Sequence, residues 1–305
     1  MDNPDDISTL EQDSSLSEPL RRVAYEAGMM LGLEATRDEQ TYHRRRLNRH
    51  QYWLHGYGTL AGMVVSISPE SVSEEVENPS VRLLVSPGIG IDGLGREVLI
   101  QESYCINLGD WLDAQSESHL REGYSDADNL LWLKVCVRQK DCPVAKQPVL
   151  ARKLNLSTDA VQPSRIADSV QLDLIPELPA ANGDDAYQPW AHHQAIADDL
   201  PALSEAEQAM ITQLENDGQQ VAAAQLRLHA RLLHALDNDS IDARQLIHEL
   251  ENDARLLLAR ISIPVADIND LSIDPATISI NNLVRPFLAT ASQLAWLARQ
   301  PISTE

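Results

Sequence analysis

The sequence predicts an α+β protein: a mainly antiparallel β-module preceded by one helix and interrupted by an inserted helical hairpin or three-helix subdomain. A capped, helix-forming stretch stands early in the chain, and short β-branched runs bounded by turn residues follow it. A leucine- and alanine-rich stretch then separates these runs from a last strand-forming run. The expected divisions are a flexible acidic tail (1–20), the helix plus β-module (21–175), a proline-rich linker (176–202), the helical insert (203–253), and strands that return to the β-module with a C-terminal helix (254–305).

The charge balance argues against two classes of partner. The 305 residues carry 24 Lys and Arg against 46 Asp and Glu, which gives a formal net charge of -22. This charge repels phosphate backbones and anionic lipid headgroups, so we expect no nucleic acid partner and no membrane insertion. No apolar run approaches the ~20 residues that cross a bilayer, and the acidic start lacks the apolar core of a signal peptide. The expected location is the cytoplasm, within an assembled particle or free.

The cysteines predict neither a disulfide framework nor a zinc site. There are three of them, Cys105, Cys136 and Cys142, and no two have CxxC spacing. Cys136 lies within an apolar strand pattern and is predicted to be a small buried hydrophobe.

The first ordered elements are predicted to be an extended arm and a helix. Residues 25–32 contain two glycines and lack a helical period, which indicates an extended arm or loop. Thr36 and Glu39 then form a capping-box pattern, in which the hydroxyl and the carboxylate satisfy reciprocal N–H groups at a helix start. We therefore expect a helix over 37–54.

This helix contains the densest polar chemistry of the chain, and two interpretations compete for it. In the first, His43, His50 and His55, with the nearby carboxylates of Asp38 and Glu39, bind a metal or act as acid and base. In the second, the histidines are hydrogen-bonded in a packed interface and the arginines stack on aromatic rings or pair with acidic surface. The separation of His43 and His50 is about two turns, too far for chelation from adjacent turns, which favours the second interpretation. The candidate interaction residues of the arm and helix are Tyr25, Met29, Met30, Tyr42, Arg46, Arg49 and Trp53.

A strand is expected over 60–68, ended by Pro69, and another over 80–85. The next stretch, SPGIGIDGLGREV, contains Gly88, Gly90 and Gly93 in the G-x-G-x-x-G spacing of a dinucleotide-binding loop. That motif needs a helix after the glycines, because the helix N-terminus holds the pyrophosphate. Residues 96–100 instead form a short aliphatic run typical of a strand. We therefore predict a β-hairpin, with a positive φ at the Asp-Gly turn and a bulge at Gly95.

The rest of the chain alternates strands and helices. Predicted strands cover 130–137, 169–175, 256–264 and 273–280, and predicted helices cover 203–217, 220–236, a stretch after 240, and 284–298. The first insert helix begins with a second capping box, formed by Ser204 and Glu207. The paired histidines at 192 and 193 lie in the linker without a third ligand nearby, and we assign them no role.

Six motifs in order resemble a family of bacterial proteins encoded with phage-tail-like contractile injection systems. They cover about 22–110, 130–175 and 254–290, and read YEAGMMLGLEATRDEQTYHRRRLNRHQYWLHGYGTLAGMVVSIS, VSPGIGIDGLGREVLI, LLWLKVCVRQKDCPV, PSRIADSVQLDLI, LLLARISI and INNLVRPF. The shared order is an extended segment, a helix ending in a His-Gly turn, a strand, an S-P-G-x-x-x-D-x-x-G-R-E hairpin, a strand entering a Cys-Pro turn, and a late Asn-x-x-x-Arg strand. This chain differs by its helical insert and by lacking a cysteine-rich stretch that many relatives carry before the segment matching residues 163–165.

The resemblance implies a structural or accessory particle component at the periphery of a baseplate, fibre or cap. It implies no catalytic residues and no cofactor, and its expected partners are a second copy and other particle proteins. The alternative from a different class is a metal-dependent enzyme or binding module that uses His43, His50 and His55. A third is a glycan-binding β-module with Trp132 or Trp190 exposed.

Overall fold

The structure is a computed structural model, and it describes residues 22–69, 81–148, 161–179, 203–233, 254–268, 271, 273–297 and 299. Six helices occur in these residues: α1 (Leu33–His55), α2 (Leu108–Asp113), α3 (Glu117–Leu120), α4 (Glu205–Asn216), α5 (Gln220–Leu233) and α6 (Ala291–Leu297). Eleven strands accompany them: β1 (Gly58–Gly62), β2 (Val65–Ile67), β3 (Arg82–Val85), β4 (Gly88–Ile91), β5 (Glu97–Ile100), β6 (Tyr104–Asn107), β7 (Tyr124–Ser125), β8 (Leu130–Pro148), β9 (Val161–Pro176), β10 (Leu256–Pro264) and β11 (Ser279–Asn281).

The strands form three sheets, and every pair of named strands is antiparallel. One sheet has the order β1-β4-β5 and a second has the order β2-β3-β6. The third has the order β11-β10-β8-β7, with β9 also paired to β8. Because α1 precedes these sheets, the α+β prediction is confirmed.

The sheets share one hydrophobic core. Leu83 of β3, Val98 of β5, Leu133 of β8 and Leu258 of β10 are all fully buried and belong to a single cluster. Burying each such side chain contributes about 1.5–3 kcal/mol relative to leaving it in water. Cys136 is buried, as predicted, while Cys105 and Cys142 are exposed, and all three are free thiols.

Strands β8 and β9 are much longer than their apolar patterns suggest. Their ladder runs from Leu133 opposite Pro176 to Pro148 opposite Val161. Strand β10 covers β8 only over residues 130–137. Within the described residues, the far part of β8 over 138–148 pairs with β9 alone. The sequence predictions of 130–137 and 169–175 were right in position and too short.

Helix α1 does not begin with the predicted capping box. Gly32 occupies the N-cap position, with no side-chain hydrogen bond. Thr36 lies inside the first turn, where its hydroxyl donates to the Gly32 carbonyl at 3.4 Å. The Glu39 carboxylate instead accepts the Val23 N–H at 3.0 Å. A tertiary contact with the preceding segment therefore replaces the local cap, and the helix begins at Leu33, within the stretch expected to be an arm.

Three other boundaries differ from prediction. The 60–68 strand divides into β1 and β2 at Met63, which has a φ of 56°. The 273–280 strand is reduced to β11, because a 3-10 turn occupies Pro275–Thr277. The 284–298 helix is reduced to α6, since Pro286 offers no N–H and the neighbouring Phe287 forms a β-bridge with Thr59.

The chain divides into two compact units, residues 1–187 with 251–305, and residues 188–250. In the second unit α4 and α5 form a helical hairpin, and the predicted capping box of Ser204 and Glu207 is confirmed. Ile211 and Ala223 are buried there. The predicted third insert helix, the end of the second at 234–236, and most of the proline-rich linker lie outside the described residues.

Candidate interaction surface

The S-P-G-x-x-x-D-x-x-G-R-E stretch is a β-hairpin and not a nucleotide loop. Gly88–Ile91 pairs with Glu97–Ile100 in an antiparallel ladder. The Gly95 N–H donates to the Asp92 carbonyl at 2.9 Å, and the Asp92 N–H donates to the Arg96 carbonyl at 3.0 Å. Among the glycines of this turn, the positive φ of 77° belongs to Gly95 and not to Gly93. The prediction of a positive φ at the Asp-Gly turn was therefore wrong, because the left-handed glycine is Gly95.

A buried ion pair fixes the shape of this turn. Asp92 Oδ1 accepts the Leu94 and Arg96 N–H groups at 3.0 and 2.8 Å, and Oδ2 accepts Arg96 Nε at 2.7 Å. Burial raises the pKa of the Asp92 carboxyl, and the Arg96 charge and these hydrogen bonds oppose that shift. All the partners lie within five residues, so the turn is held by its own side chains.

The turn contacts α1 directly. A Cβ placed on Gly95 would lie 2.0 Å from the Asn48 carbonyl oxygen and 3.0 Å from the Tyr52 Cβ. Tyr52 is buried, and Asn48 is half-buried on the same side of the helix. The hairpin therefore supports the inner face of α1 and leaves its opposite face to solvent.

The segment before α1 exposes a series of large apolar side chains. Tyr25 is 65% exposed and Met30 is 95% exposed, and Met29, Leu31 and Leu33 are exposed as well. One backbone contact holds the segment, from the Val23 N–H to Glu39 on α1. Three of the predicted interaction residues, Tyr25, Met29 and Met30, therefore lie together on the surface.

The exposed face of α1 carries two further large apolar side chains. Leu47 is 55% exposed and Leu54 is 67% exposed. Arginines and histidines flank them on the same side of the helix. We call this set the outer stripe of α1, and it consists of His43, Arg46, Leu47, Arg49, His50 and Leu54, all exposed.

Aromatic stacking by arginine, expected from the sequence, occurs at one place in the described helix. Arg46 Nη1 donates to the Tyr42 hydroxyl at 2.7 Å, and the Arg46 guanidinium carbon lies 5.9 Å from the Tyr42 ring centroid. Tyr42 is half-buried, so it holds Arg46 against the helix surface. The side chain of Trp53 lies outside the described part of the chain.

His43, His50 and His55 are all exposed, so they are not packed against other described parts of this chain. His43 Nε2 lies 3.1 Å from Glu39 Oε1, and the ring centroids of His50 and His55 are 5.8 Å apart. Within the residues that the structure covers, no group of three or more His, Cys, Asp or Glu side chains could hold a metal ion. Asp38 therefore joins no such group. Trp132 is half-buried, and Trp190 lies outside the described ranges.

A clamp formed by a buried arginine joins distant parts of the chain, and the sequence analysis did not predict its contacts. Arg285 is 2% exposed, and its Nη1 donates to the Met63 carbonyl at 2.8 Å. Its Nε donates to the Asn282 carbonyl at 2.9 Å, and its Nη2 donates to Asn282 Oδ1. The Asn282 amide forms two further bonds with the backbone of Val65, at 2.9 and 3.0 Å. The Asn-x-x-x-Arg motif was the available signal, although the structure uses Asn282 and not Asn281.

An open groove of about 1430 Å³ lies between α1, β5 and the part of the β8–β9 ladder beyond residue 138. Its lining includes the cations Arg37 and Arg96 and the carboxylates Glu97 and Asp168. In total four arginines and four carboxylates line it, so the charges of the groove favour neither an anionic nor a cationic ligand. The outer stripe of α1 is different, because it contains cations and no carboxylate.

Comparisons with known proteins give only weak structural likeness. No family model matches the chain, and no curated protein matches it. Among solved structures, a chain of the type VI secretion system TssK-TssF-TssG baseplate subcomplex, determined by cryo-electron microscopy, is similar with 13% sequence identity and a TM-score of 0.28. The match covers 78% of this chain and 82% of that chain. At that TM-score the likeness carries no argument about function. Among the described residues, no helix is both long and apolar enough to span a membrane.

Proposed function

We propose that the protein is a structural component of a phage-tail-like contractile injection particle, acting by protein–protein assembly at the periphery of a baseplate, fibre or cap. The proposal includes no catalytic step and no cofactor. Its partners are other particle proteins and further copies of the chain. The six ordered sequence motifs support the kind of particle, and the exposed surface supports the mode of action.

The observation that carries the proposal is the exposure of two groups of large apolar side chains. One group precedes and begins α1 (Tyr25, Met29, Met30, Leu31 and Leu33), and the other is the pair Leu47 and Leu54 on α1. Isolated exposed apolar residues are normal, whereas a contiguous group rimmed by polar residues marks a binding surface. Covering such a surface contributes about 25 cal/mol for each Å² of apolar area removed from water. The flanking arginines Arg46 and Arg49 belong to the residue types enriched at protein interfaces, as do Tyr and Met.

The motif residues support this surface and do not form a reaction site. Gly95 admits the α1 backbone, while Arg96 Nε donates to the Asp92 carboxylate within the turn. Arg285 ties the late Asn-x-x-x-Arg segment to the carbonyl groups after β1. Each of these contacts stabilises the fold. This arrangement suits a component whose role is to present a rigid surface.

The test is recovery of the chain with the assembled particle. The protein is expressed with its neighbouring particle genes, particles are purified by sedimentation, and the chain is detected in the particle fraction. Met30→Ser with Leu54→Ser is expected to remove it from that fraction while leaving the melting temperature unchanged, because both side chains are exposed. The matched control is Met210→Ser with Val221→Ser, two exposed apolar residues of the other unit. A wild-type chain that is strictly monomeric and absent from purified particles would overturn the proposal.

A further inference from the structure

The outer stripe of α1 and the start of the chain have opposite charge. Residues 40–55 contain four arginines, three histidines and no carboxylate. Residues 1–20 contain six carboxylates and no Lys or Arg. In the outer stripe, Arg49 is exposed and has no hydrogen-bond or ion-pair partner within the described residues. Arg49 therefore offers a positive charge on the stripe that its described neighbours do not neutralise.

The apolar residues of the two segments are also complementary. Leu47 and Leu54 are exposed between the cations of the stripe. The first twenty residues interleave apolar side chains with their acids, namely Ile7, Leu10, Leu16 and Leu20. A segment of this kind can cover the exposed leucines while its carboxylates pair with arginine and histidine. Burial of apolar surface and charge complementarity therefore favour the same contact.

The point where the described chain begins makes this contact short-range. Val23 donates its N–H to Glu39, and the same carboxylate lies 3.1 Å from His43, the first residue of the stripe. These contacts lower the pKa of Glu39, the Val23 hydrogen bond first and His43 second, so Glu39 holds this junction as a carboxylate. The chain before residue 22 therefore starts at one end of the stripe.

The lengths are sufficient. The stripe extends over eleven residue steps from His43 to Leu54, which is about 17 Å at the rise of an α-helix. Twenty residues span up to about 66 Å when extended, so the segment can follow the whole stripe and return. A segment tethered beside its binding surface also has an effective concentration on the order of millimolar, which favours the same chain over a second copy.

From these observations we infer that residues 1–20 bind the outer stripe of α1 in the same chain as an acidic, partly apolar cover. The consequence of this inference rests on the proposed function. The segment occupies the surface that a particle partner needs, so the partner must displace it. Assembly then depends on competition between the tethered segment and the partner.

The experiment is a site-specific photocrosslink in the full chain. Leu10→benzoylphenylalanine is irradiated in buffers of 50 mM and 500 mM salt, and the crosslinked peptides are identified by mass spectrometry. We expect crosslinks within one chain to residues 43–54, with lower yield at the higher salt because exposed ion pairs are screened. Arg46→Glu with Arg49→Glu should abolish these crosslinks. The control Lys140→Glu with Arg299→Glu makes the same change in net charge at exposed sites elsewhere and should preserve them.

Each other outcome overturns the inference. Crosslinks between two chains would show that a second copy takes the segment, and crosslinks to another surface would show that the stripe is not its site. No crosslink under either condition would show that the segment does not bind the chain. None of these results involves the particle, so recovery with the particle can succeed when this inference fails, and the inference can hold when recovery fails.

Discussion

Arg285 donates a hydrogen bond of 2.8 Å to the carbonyl oxygen of Met63, a residue 222 positions earlier in the chain. This bond joins the segment after β11 to the bend between β1 and β2. Burial lowers the pKa of the Arg285 guanidinium to about 10. The charge is retained there because backbone carbonyls and Asn282 replace water.

Arg285→Ala is expected to lower the free energy of unfolding by about 3 kcal/mol, because it leaves buried carbonyl groups without donors. Urea unfolding followed by circular dichroism measures the change. The free energy of unfolding of Arg285→Lys should lie between those of the wild type and Arg285→Ala, because a single ammonium cannot reproduce the guanidinium fork. Arg49→Ala, an exposed arginine, is the control and should change stability by less than about 0.5 kcal/mol. Equal effects of Arg285→Ala and Arg49→Ala would show that the clamp contributes nothing.

Gly95→Ala is expected to destabilise the protein by about 3 kcal/mol or prevent folding, from a positive φ and a clash with the Asn48 carbonyl together. Gly28→Ala separates the two contributions, because Gly28 has a φ of 86° with no atom within 4 Å of the added Cβ. Gly28→Ala should lower the free energy of unfolding by about 1–2 kcal/mol, which is the cost of the left-handed conformation alone. Thermal unfolding of both variants measures the difference. A Gly28→Ala variant as unstable as Gly95→Ala would remove the argument for close contact with α1.

Burial raises the pKa of the Cys136 thiol to about 12, above its ordinary value of 9.0. In the unfolded chain the thiol ionises from about pH 9, whereas in the folded protein it stays protonated, so stability is lost as the pH rises between these two values. The loss should be about 1 kcal/mol for each pH unit in that window. Comparing the unfolding free energies of wild type and Cys136→Ala at pH 8 and pH 10 isolates this contribution from other titrating groups. A difference that does not change with pH would contradict it.

The three thiols should also differ in reactivity. A thiol reagent at neutral pH is expected to modify Cys105 and Cys142 in the native protein and to reach Cys136 only after unfolding, because only the first two are exposed. Quantifying modified thiols by mass before and after adding denaturant measures this. Rapid modification of all three in the native protein would show that the β8–β10 core opens readily.

Protein purified without added metal is expected to contain no stoichiometric metal, and its melting temperature should not change with chelator. His43 pairs with Glu39, and His50 lies against His55, so the described helix gathers no set of three ligands. Elemental analysis and thermal unfolding measure these outcomes. Stoichiometric metal that is lost in a His43→Ala and His50→Ala variant would favour the metal-dependent alternative.

Much of the β-module could be predicted from the sequence because its buried strands are marked by β-branched residues and bounded by turns. The hairpin at 88–100 is the clearest example, since the aliphatic run after Gly95 excluded a helix. The outer parts of β8 and β9 carry no such mark. No described residue of that part of the ladder is fully buried, so no regular alternation of apolar and polar residues develops.

The errors at the candidate surface came from contacts between distant residues. Thr36 and Glu39 have the spacing of a capping box, but the approach of Val23 gave the carboxylate a different donor. The exposed position of His43 and His50 followed from the side on which the hairpin turn meets α1, which no local pattern specifies. Arg285 and Asn282 were visible as a motif, but only the strand pairing places them beside Met63 and Val65.

The β8–β9 ladder beyond residue 138 is an arm of two strands whose length can change independently of β10. Inserting two residues into each strand would lengthen it by about 6.6 Å and keep every side chain on its original face, because the strand period is two. Such a change would leave the ladder between β8 and β10 untouched. How far this arm extends can therefore vary among related chains at almost no cost to the stability of the core.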